Sequence, residues 1–559
     1  MSTFPWLTVT MAIPAAGALA LAVMPGAAAG ASEADNHARN VIVKRAALGV
    51  SLLTLAVTIG MIVSFTPGGP AFQFTQTYQW IPQFGIHYAV GVDGIGLVLI
   101  GMTAVLMPVV VLASWNDADP PPVTADDGGP AGAAPAPARP RHSVKTYFVW
   151  MLLLEAMVIG IFAATDVFLF YVLFEAMLIP MYFMIGSYGV GQRQYAAVKF
   201  LLYSLLGGLL MLAAVIALYV YSTQGGRQGT FLFSQLIHLA LSPDAQRWLF
   251  LGFFIAFAIK APLWPFHTWL PDAATSAQPG AAVLLVGVLD KVGTFGMIRY
   301  CLELFPSAAR YFTPVVLVMA VVGILYGAIV AIGQRDMKRL IAYTSISHFG
   351  LIALGIFVLT SQGQSGATLY MVNHGFATGA LFLIAGFLIV RRRSHLISDY
   401  GGVQKVAPLL AGLFLVAGLA GLSLPGLSTF VSEFLVLVGT FTKYKAAAVA
   451  ATIAVILSAI YILWMYQRTM TGPVRDEVAH FSDLKARELW AVGPLIALII
   501  VFGVYPQPLL NIINPAVHRT LVQVHATDPV PPHPSSELAI HTGKNASGKV
   551  IVIKKVVAP

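Results

Sequence analysis

Four charged residues lie inside apolar runs, where a charge is costly. Lys260 lies in LFLGFFIAFAIKAPLWPFHTWL and Lys291 in AAVLLVGVLDKVGTFGMI, while Glu175 lies in DVFLFYVLFEAMLIPMYFMIG and Glu433 in GLSLPGLSTFVSEFLVLVGTF. An ionisable group at membrane depth usually faces a polar or hydrated interior and marks an ion or proton path. Because both signs of charge are present, the pattern predicts transfer of protons or small cations across a membrane.

The residues around Lys260 predict a broken helix. Pro262 and Pro265 follow it, and a proline inside a helix removes a backbone hydrogen bond and clashes with the carbonyl four residues back. We therefore expect free carbonyls at Ala258 and Ala261. Irregular backbone at membrane depth is tolerated only where it is buried in protein or lines a cavity, and burial favours the uncharged form of a lysine. The alternative is that Lys260 snorkels to an interface or forms a fixed ion pair.

A second predicted break precedes Glu433. The sequence SLPG at 423–426 interrupts an apolar run about two helical turns before this glutamate. Two interrupted helices in the two halves of a transporter indicate ion sites and an inverted repeat. The alternative is a simple proline kink, with Glu433 close to the lipid headgroups.

Glu175, Lys291 and His348 complete the main candidates for proton transfer. Glu175 lies ten residues into its span, and Lys291 lies in mid-span beside Asp290. The neighbouring pair could instead neutralise each other as a structural couple. His348 lies in DMKRLIAYTSISHFG. Histidine titrates near neutral pH, but a lone buried histidine is as often a hydrogen-bonded core residue.

Further ionisable residues are accessory candidates: Glu155, Asp166, His267, Asp290, Lys338 and His374. Glu155 and Asp166 are predicted to flank the outer ends of their spans, on an entry or exit route. Lys338 begins a span on the predicted cytoplasmic side, where a topology-setting charge is as good an explanation as a relay. His267 and His374 are candidates of the same kind as His348, but the case for each is weaker.

The composition places the chain in a membrane. Of the 559 residues, 58% are hydrophobic and 10% are charged, whereas a soluble protein carries about 25% charged residues. The single cysteine, Cys301, excludes a disulfide framework, a cysteine-ligated iron–sulfur cluster and a structural zinc site. We predict neither a cofactor nor a metal in this chain. The net charge of +9 comes from basic residues in short loops, which indicates membrane orientation rather than nucleic-acid binding.

Apolar runs of about 17–25 residues predict fourteen transmembrane helices. Their approximate cores are 7–27, 45–65, 92–114, 147–163, 166–187, 196–221, 248–270, 280–302, 313–332, 339–360, 366–390, 408–440, 446–467 and 489–511. No basic residue precedes the first run, so it is predicted to be a retained span rather than a signal peptide. With both termini outside, the predicted inner loops hold 19 lysines and arginines and the outer loops hold 6, which supports this orientation.

Several long motifs resemble one family of membrane proteins. VGVDGIGLVL, FYVLFEAMLIPMYFMIGSYG, AIKAPLWPFHTWLPDAATSAQPGAAVLLVGVLDKVGTFGMIRY, RDMKRLIAYTSISHFG and LPGLSTFVSEFLVL resemble the proton-pumping, antiporter-like membrane subunits of respiratory complex I. The resemblance runs from about residue 80 to about residue 470. Among the related subunits the chain looks most like the M type, because its sisters and the multisubunit cation/proton antiporters usually have lysine where Glu433 stands. TSAQPGAAV departs from the commoner TSAPTAGSV of relatives.

The resemblance implies both a function and an architecture. Glu175 and Lys260 would form a regulating ion pair, Lys291 and His348 would lie on a central hydrated axis, and Glu433 would exchange the proton at the end. The chain would be an all-α translocase subunit of NADH:quinone oxidoreductase in the bacterial inner membrane. Its partners would be other membrane-arm subunits and, through them, the NADH-oxidising arm. Flavin, iron–sulfur clusters and quinone would belong to partner subunits.

The predicted organisation has six parts, two of which are inverted repeats with a broken helix each. They are transmembrane helices 1–3 at 1–115, a disordered cytoplasmic loop at 116–145, a first antiporter-like repeat at 146–303, a second at 304–470, the last transmembrane helix at 471–512 and a polar tail at 513–559. Two alternatives stay open at this point: a subunit of a multisubunit Na⁺/H⁺ antiporter, and a membrane scaffold whose charges are inert.

Overall fold

A computed structural model describes residues 4–25, 32–119, 143–226, 228–529, 540–544 and 550–554. The first third holds eight helices and one hairpin among these residues. They are α1 (Trp6–Val23), α2 (Glu33–Ser64), β1 (Gln73–Ile81), β2 (Ile86–Val92), α3 (Gly94–Ala113), α4 (Val144–Ala163), α5 (Val167–Ala176), α6 (Leu178–Gly186), α7 (Arg193–Ser222) and α8 (Phe233–Leu236). The strands β1 and β2 pair antiparallel.

The central third carries most of the candidate residues. Its elements are α9 (Pro243–Lys260), α10 (Trp269–Ser276), α11 (Pro279–Leu284), a π-helical turn (Leu285–Leu289), α12 (Asp290–Gly296), a second π-helical turn (Met297–Leu302), α13 (Pro306–Ile332), α14 (Met337–Phe357) and α15 (Ser361–Arg392). Turns of π-helix inside α-helices are rare and occur frequently at functional sites.

The last third ends in a short hairpin. Its elements are α16 (Val403–Val406), α17 (Pro408–Gly421), α18 (Ser428–Phe441), α19 (Lys445–Met470), α20 (Ala486–Val504), α21 (Gln507–Gln523), β3 (Ile540–Lys544) and β4 (Val550–Lys554). Single 3₁₀ turns lie at Pro82–Phe84, Ser114–Asn116 and Ile397–Asp399.

Twelve helical segments in the described part of the chain are long and apolar enough to cross a membrane. The predicted span near 408–440 consists instead of two shorter apolar helices, α17 and α18, and the one near 248–270 consists of α9 and α10. The fold is thus helical and membrane-spanning with two discontinuous helices, as predicted. The total of fourteen spans stays a prediction.

The most buried helices form the centre of the bundle. The apolar windows of α14 and α15 are 94% buried and the segment Pro279–Leu302 is wholly buried, whereas α1, α19 and α20 are each only 33% buried. The peripheral helices therefore present an apolar surface to lipid or to neighbouring chains. Lys291, His348 and His374 lie on the three central segments.

Arg299 is one of the six basic residues that the topology argument assigned to the outer loops, and the structure corrects that assignment. It lies in the second π-helical turn and is 6% exposed. Its guanidinium contacts Asp93 Oδ2 at 2.7 Å and Glu303 Oε2 at 3.2 Å. Asp93 also caps α3, because its Oδ1 accepts a hydrogen bond from the backbone N–H of Gly96. The aspartate of VGVDG therefore belongs to a buried structural ion pair.

The last span ends earlier than predicted, and the polar tail begins inside a helix. α20 ends at Val504, and α21 follows after two residues. Ile513, Val517 and Leu521 recur at helical spacing on its buried face. Thr520 Oγ1 donates a hydrogen bond to Glu303 Oε1 at 2.6 Å, which ties the helix to the Arg299 ion pair. α21 is too polar to resemble a span, so the search for long apolar runs missed it.

The predicted disordered loop at 116–145 has ordered edges. Residues 120–142 lie outside the described part of the chain. On one side of them, Asp119 binds Lys44, with Nζ 2.6 Å from Oδ1 and 2.7 Å from Oδ2. On the other, Lys145 Nζ donates to the carbonyls of Ala22 and Met24, both at 3.0 Å. Positively charged side chains stabilise the carbonyl end of a helix, here that of α1.

We expect these edges to matter more than the segment between them. Replacing 120–142 by a Gly/Ser linker should leave the melting temperature and the amount of protein in the membrane near wild type. Deleting all of 116–145 removes the partner of Lys44, which is only 2% exposed. An unpaired buried charge costs about 3–5 kcal/mol. Equal loss from both deletions, measured by immunoblot and thermal melting, would contradict this assignment.

Candidate functional site

The first break in the bundle lies directly after Lys260. α9 ends at this residue, and α10 begins only at Trp269. The backbone N–H of Leu263 donates to the carbonyl of Ala258 at 2.8 Å, and Trp269 Nε1 donates to the carbonyl of Ile259 at 2.9 Å. The predicted break is present, but the expectation that Ala258 has a free carbonyl is wrong because the backbone N–H of Leu263 in the turn bonds to it.

Lys260 is a buried ammonium group held mainly by aromatic rings. The residue is 1% exposed, and its Nζ has no hydrogen-bond partner among the described residues. Nζ lies 5.3 Å from the ring centroid of Phe174 and 5.2 Å from that of Phe200. The face of an aromatic ring attracts a cation. Such a lysine has few bonds to break when it gains or loses a proton.

Two carboxylates act electrostatically on Lys260. They are Glu175 on α5 and Asp290 at the start of α12. The carboxylate of Glu175 lies against Gly208 on α7, so close that a side chain at position 208 would collide with it. Both oxygens of Asp290 are buried without a hydrogen-bond partner in the described residues. The structure thus places Lys260 between two carboxylates and bonds it to neither.

Lys291 is bonded across the bundle rather than to its neighbour Asp290. Its Nζ donates to the carbonyl of Val286, in the first π-helical turn, at 2.6 Å. The same Nζ lies 2.7 Å from Nδ1 of His374 on α15. The hydrogen bonds of Lys291 therefore do not go to Asp290, which counts against the structural-couple alternative.

His374 takes part in the cluster around Lys291 more directly than the sequence suggested. Its Nε2 lies 3.1 Å from Oγ of Ser345 on α14, so the imidazole connects Lys291 to a hydroxyl. If the ammonium of Lys291 donates to Nδ1, the Nε2–H donates to Ser345. The ring of His348 is 5.4 Å from that of His374. The main candidate His348 is therefore part of the cluster, but His374 makes the bond to Lys291.

Glu433 lies at the end of this cluster that is next to the second helix break. The hydroxyl of Tyr370 donates a hydrogen bond to its carboxylate, and the Tyr370 ring lies 5.6 Å from that of His348. Ser423 and Tyr461 also interact with Glu433. Tyr370 was not predicted as a site residue. The sequence could have indicated it by its position in LYMVNHG. Tyr370 lies four residues before His374, and residues four apart share a helix face.

The second break lies where the sequence predicted it, at 422–427 between α17 and α18. Ser423 and Gly426 adopt positive φ angles of 60° and 95°. Asn373 Nδ2 donates to the carbonyl of Ser428 at 2.7 Å, and Thr429 Oγ1 donates to that of Ala420 at 2.5 Å. Both ends of the break are thus held by polar side chains, one of which, Asn373, is the chain neighbour of His374.

Of two accessory carboxylates, Glu155 differs from its predicted place, whereas Asp166 lies at the end of its span, as predicted. Glu155 was expected at the outer end of its span, but it lies inside α4, eight residues before the end of the helix, with both oxygens unpartnered among the described residues. Asp166 accepts hydrogen bonds from the backbone N–H groups of His87, Phe168 and Leu169 at 2.9–3.0 Å. It caps α5 and fixes the β1–β2 hairpin, which favours a structural role.

Two accessory candidates with basic side chains are buried. His267 lies in the break between α9 and α10, 3% exposed, with its ring 4.9 Å from that of Tyr326. Lys338 is 1% exposed, and its Nζ donates to the carbonyl of Ala277 at 2.6 Å. Lys338 is thus not the surface charge that a purely topological role implies. In the described ranges, no three His, Cys, Asp or Glu residues come together in a way that could hold a metal ion.

The discontinuous helices and the buried charged axis define the class of an antiporter-like membrane subunit, and the comparisons agree. A profile of the family described as NADH:quinone oxidoreductase/Mrp antiporter, TM matches residues 164–460. NADH-quinone oxidoreductase subunit M of Mycobacterium tuberculosis is 52% identical over 566 residues, covering 98% of this chain and all of its own. The chain belongs to the family of NADH-quinone oxidoreductase subunit M, which confirms the resemblance found in the motifs.

Solved structures show the same fold. A chain of respiratory complex I from Thermus thermophilus with bound NADH is 29% identical, with a TM-score of 0.80 over 93% of this chain and 99% of that one. A chain of the Mrp complex from Dietzia sp. has a TM-score of 0.77 over 94% of this chain and all of its own, at 19% identity. At that identity the second likeness concerns the fold alone.

Proposed function

We propose that this chain translocates protons along a buried route from Lys260 past Asp290 to Lys291, and through His374 to Glu433. The observation that carries the proposal is the contact of Lys291 with His374, because it joins α12 to α15 by a hydrogen bond between two titratable groups. Proton transfer needs donor and acceptor within about 2.6–3.2 Å or one bridging water. The distance of 2.7 Å meets this requirement.

The chain would do this as a subunit of a larger enzyme. Its relatives are named NADH-quinone oxidoreductase subunit M, and one solved relative belongs to a respiratory complex I with bound NADH. We infer that NADH oxidation and quinone reduction take place in partner subunits, which would hold the flavin, the iron–sulfur clusters and the quinone. Their energy would reach this chain as a displacement of charge along the membrane.

The first step would be a change in the separation of Glu175 and Lys260. Opposite charges stabilise each other, so moving the carboxylate away favours release of the lysine proton. Lys260 has no hydrogen bond that holds the proton, and Asp290 interacts with both Lys260 and Lys291. Asp290 would therefore stabilise positive charge between the two lysines.

The last steps would pass from Lys291 to Glu433. His374 can accept a proton at Nδ1 and release one at Nε2 toward Ser345. His348 and Tyr370 lie between His374 and Glu433, and the Tyr370 hydroxyl already donates to the glutamate. Glu433 would take up the proton and exchange it with the outer side.

The orientation and the repeats belong to the same proposal. The excess of basic residues in the predicted inner loops supports a multi-pass protein of the bacterial plasma membrane with both termini outside. One broken helix in each of 146–303 and 304–470 supports two repeats. The antiporter alternative is disfavoured by Glu433, since lysine is usual there in that group. Copurification of NADH-oxidising subunits with this chain would decide between them.

The variant His374→Gln tests the proposed route at its central contact. Glutamine keeps polarity and approximate size but cannot be protonated, so NADH-driven proton uptake by inverted vesicles should fall at least tenfold. Electron transfer from NADH to a water-soluble acceptor should be unchanged, because it does not need the membrane route.

His480→Gln is the matched control, since His480 is exposed in the loop between α19 and α20. It should pump at the wild-type rate. Wild-type proton uptake in His374→Gln, at equal subunit content, would refute the route through His374.

A further inference from the structure

Asp117 is a half-buried carboxylate that neither the motifs nor the proposed route uses. It follows the short turn Ser114–Asn116 at the end of α3. Its Oδ2 is inaccessible to solvent and has no hydrogen-bond partner among the described residues. The hydroxyls of Ser114 and of Tyr147 on α4 lie beside it. The Ser114 hydroxyl in turn lies against Gly280, where a side chain would otherwise be. Gly280 belongs to TSAQPGAAV, the stretch whose sequence departs from that of relatives.

Two cations act electrostatically on Asp117, first Arg487 on α20 and then Lys338 on α14. This lysine begins α14, is buried and interacts electrostatically with Asp117 and Asp336. Asp336 already caps α14, since its Oδ1 accepts from the backbone N–H of Arg339 at 2.9 Å. The other oxygen of Asp336, Oδ2, lies 3.9 Å from His395 Nδ1, whereas Oδ2 of Asp117 has no hydrogen-bond partner among the described residues.

α14 connects this pair to the central cluster. Lys338 and Ser345 are seven residues apart and so lie on one face of the helix, about 10 Å from each other along its axis. Ser345 contacts His374, which contacts Lys291. About three water molecules at hydrogen-bond spacing would span the distance.

We propose that Asp117 and Lys338 form the proton-loading pair of this chain on its predicted cytoplasmic side. The inference rests on the proposed function. The carboxyl group of Asp117, a residue that is partly exposed, binds a proton from the cytoplasmic water. The O–H bond then breaks as a bridging water passes that proton on to the neutral amine of Lys338, and the carboxylate is regenerated. Once Lys291 has passed its own proton on to Glu433, Lys338 releases a proton through Ser345 and His374 that reloads Lys291, and Lys338 returns to the neutral amine.

The surroundings of Asp117 suit this exchange. Burial raises the pKa of Asp117 to about 6, against the opposing effects of Ser114, Arg487 and Lys338 and with a small further rise from Asp119. A carboxyl group with such a pKa is partly protonated near neutral pH, as a general acid must be. Protonated Asp117 becomes scarcer as the pH rises above about 6, so loading through it should slow in that range.

A competing inlet lies at the same end of the bundle. A cavity of about 430 Å³ is lined by Gln192, Asp272, Ser276, Asp336, Arg339 and His395. Ser276 precedes Ala277, whose carbonyl binds Lys338. If protons reached Lys338 from this cavity, they would bypass Asp117, and removal of the Asp117 carboxyl would have no effect.

The test uses Asp117→Asn and Asp117→Glu in the assembled complex, in inverted membrane vesicles with matched subunit content. Asp117→Asn should slow NADH:quinone turnover at least tenfold and remove the decline in rate above about pH 6. Asp117→Glu should keep much of the rate. Imidazole, a soluble proton carrier, should restore turnover in Asp117→Asn, because a missing proton donor can be replaced from solution and a damaged structure cannot.

Asp119→Asn is the matched control, because it removes the neighbouring carboxylate that anchors Lys44. Any loss of rate there should be structural and insensitive to imidazole. A wild-type rate and pH profile in Asp117→Asn would overturn the inference, as would a slow variant that imidazole does not rescue. If His374→Gln blocks pumping while Asp117→Asn is normal, the loading pair fails and the proposed route stands.

Discussion

Replacing Lys260 by methionine is expected to leave the protein assembled and to abolish most NADH-driven proton uptake. Methionine keeps an apolar stem between Phe174 and Phe200, and the ammonium has no hydrogen bond among the described residues to lose. The fold should therefore tolerate the change. The titrating group between Glu175 and Asp290 disappears, however, and loss of a general acid or base typically costs about 10²–10⁴-fold in rate.

Proton uptake in inverted vesicles, at matched subunit content, measures this effect. Lys405→Met is the control, since Lys405 is exposed on α16 and should tolerate the same substitution. Undiminished pumping by Lys260→Met would support the alternative of a scaffold with inert charges. Loss of the protein from the membrane would contradict the prediction that Lys260 is not needed for folding.

The second large effect is expected at Glu433, where three substitutions separate proton exchange from a structural role. Glu433→Gln should impair turnover about 100-fold, because glutamine keeps the shape but carries no proton. Glu433→Asp should keep part of the activity with a shorter reach. Glu433→Lys should also keep part, since either group can titrate when burial tunes it.

A structural Glu433 predicts the reverse order. Its carboxylate accepts a hydrogen bond from Tyr370, and the amide oxygen of glutamine could accept the same bond. Lysine could not, because an ammonium group has no acceptor. Measuring NADH-driven proton uptake for the three variants decides the matter. High activity in Glu433→Gln with little in Glu433→Lys would contradict the exchange role.

The parts that could be predicted from the sequence are those with local causes. A proline pair after Lys260 and the sequence SLPG before Glu433 break helices through their own backbone chemistry, and both breaks are present. Charges inside long apolar runs could also be recognised in the sequence, because charged residues are rare in membrane-spanning segments. These signals were enough for the class of fold and for the main charged residues.

The parts that could not be predicted depend on packing between distant segments. Lys291 and His374 are 83 residues apart, and Arg299 and Asp93 are more than 200 apart, so no periodicity reports either contact. The close approach at Gly293, where a Cβ would lie 2.6 Å from the Ala261 nitrogen, is equally non-local. Such contacts decided that His374 rather than His348 bonds Lys291.

The central claim, one continuous route from Lys260 to Glu433, is tested most directly by a double-variant cycle in proteoliposomes. The measurement is the initial rate of NADH-driven proton uptake by Lys260→His, Glu433→Asp and the double variant, all of which keep titratable groups at both positions. Residues that act in one sequence of steps are not additive. The double variant should therefore be about as slow as the slower single variant. Rate losses that multiply would show that the two residues act independently and would contradict a single route.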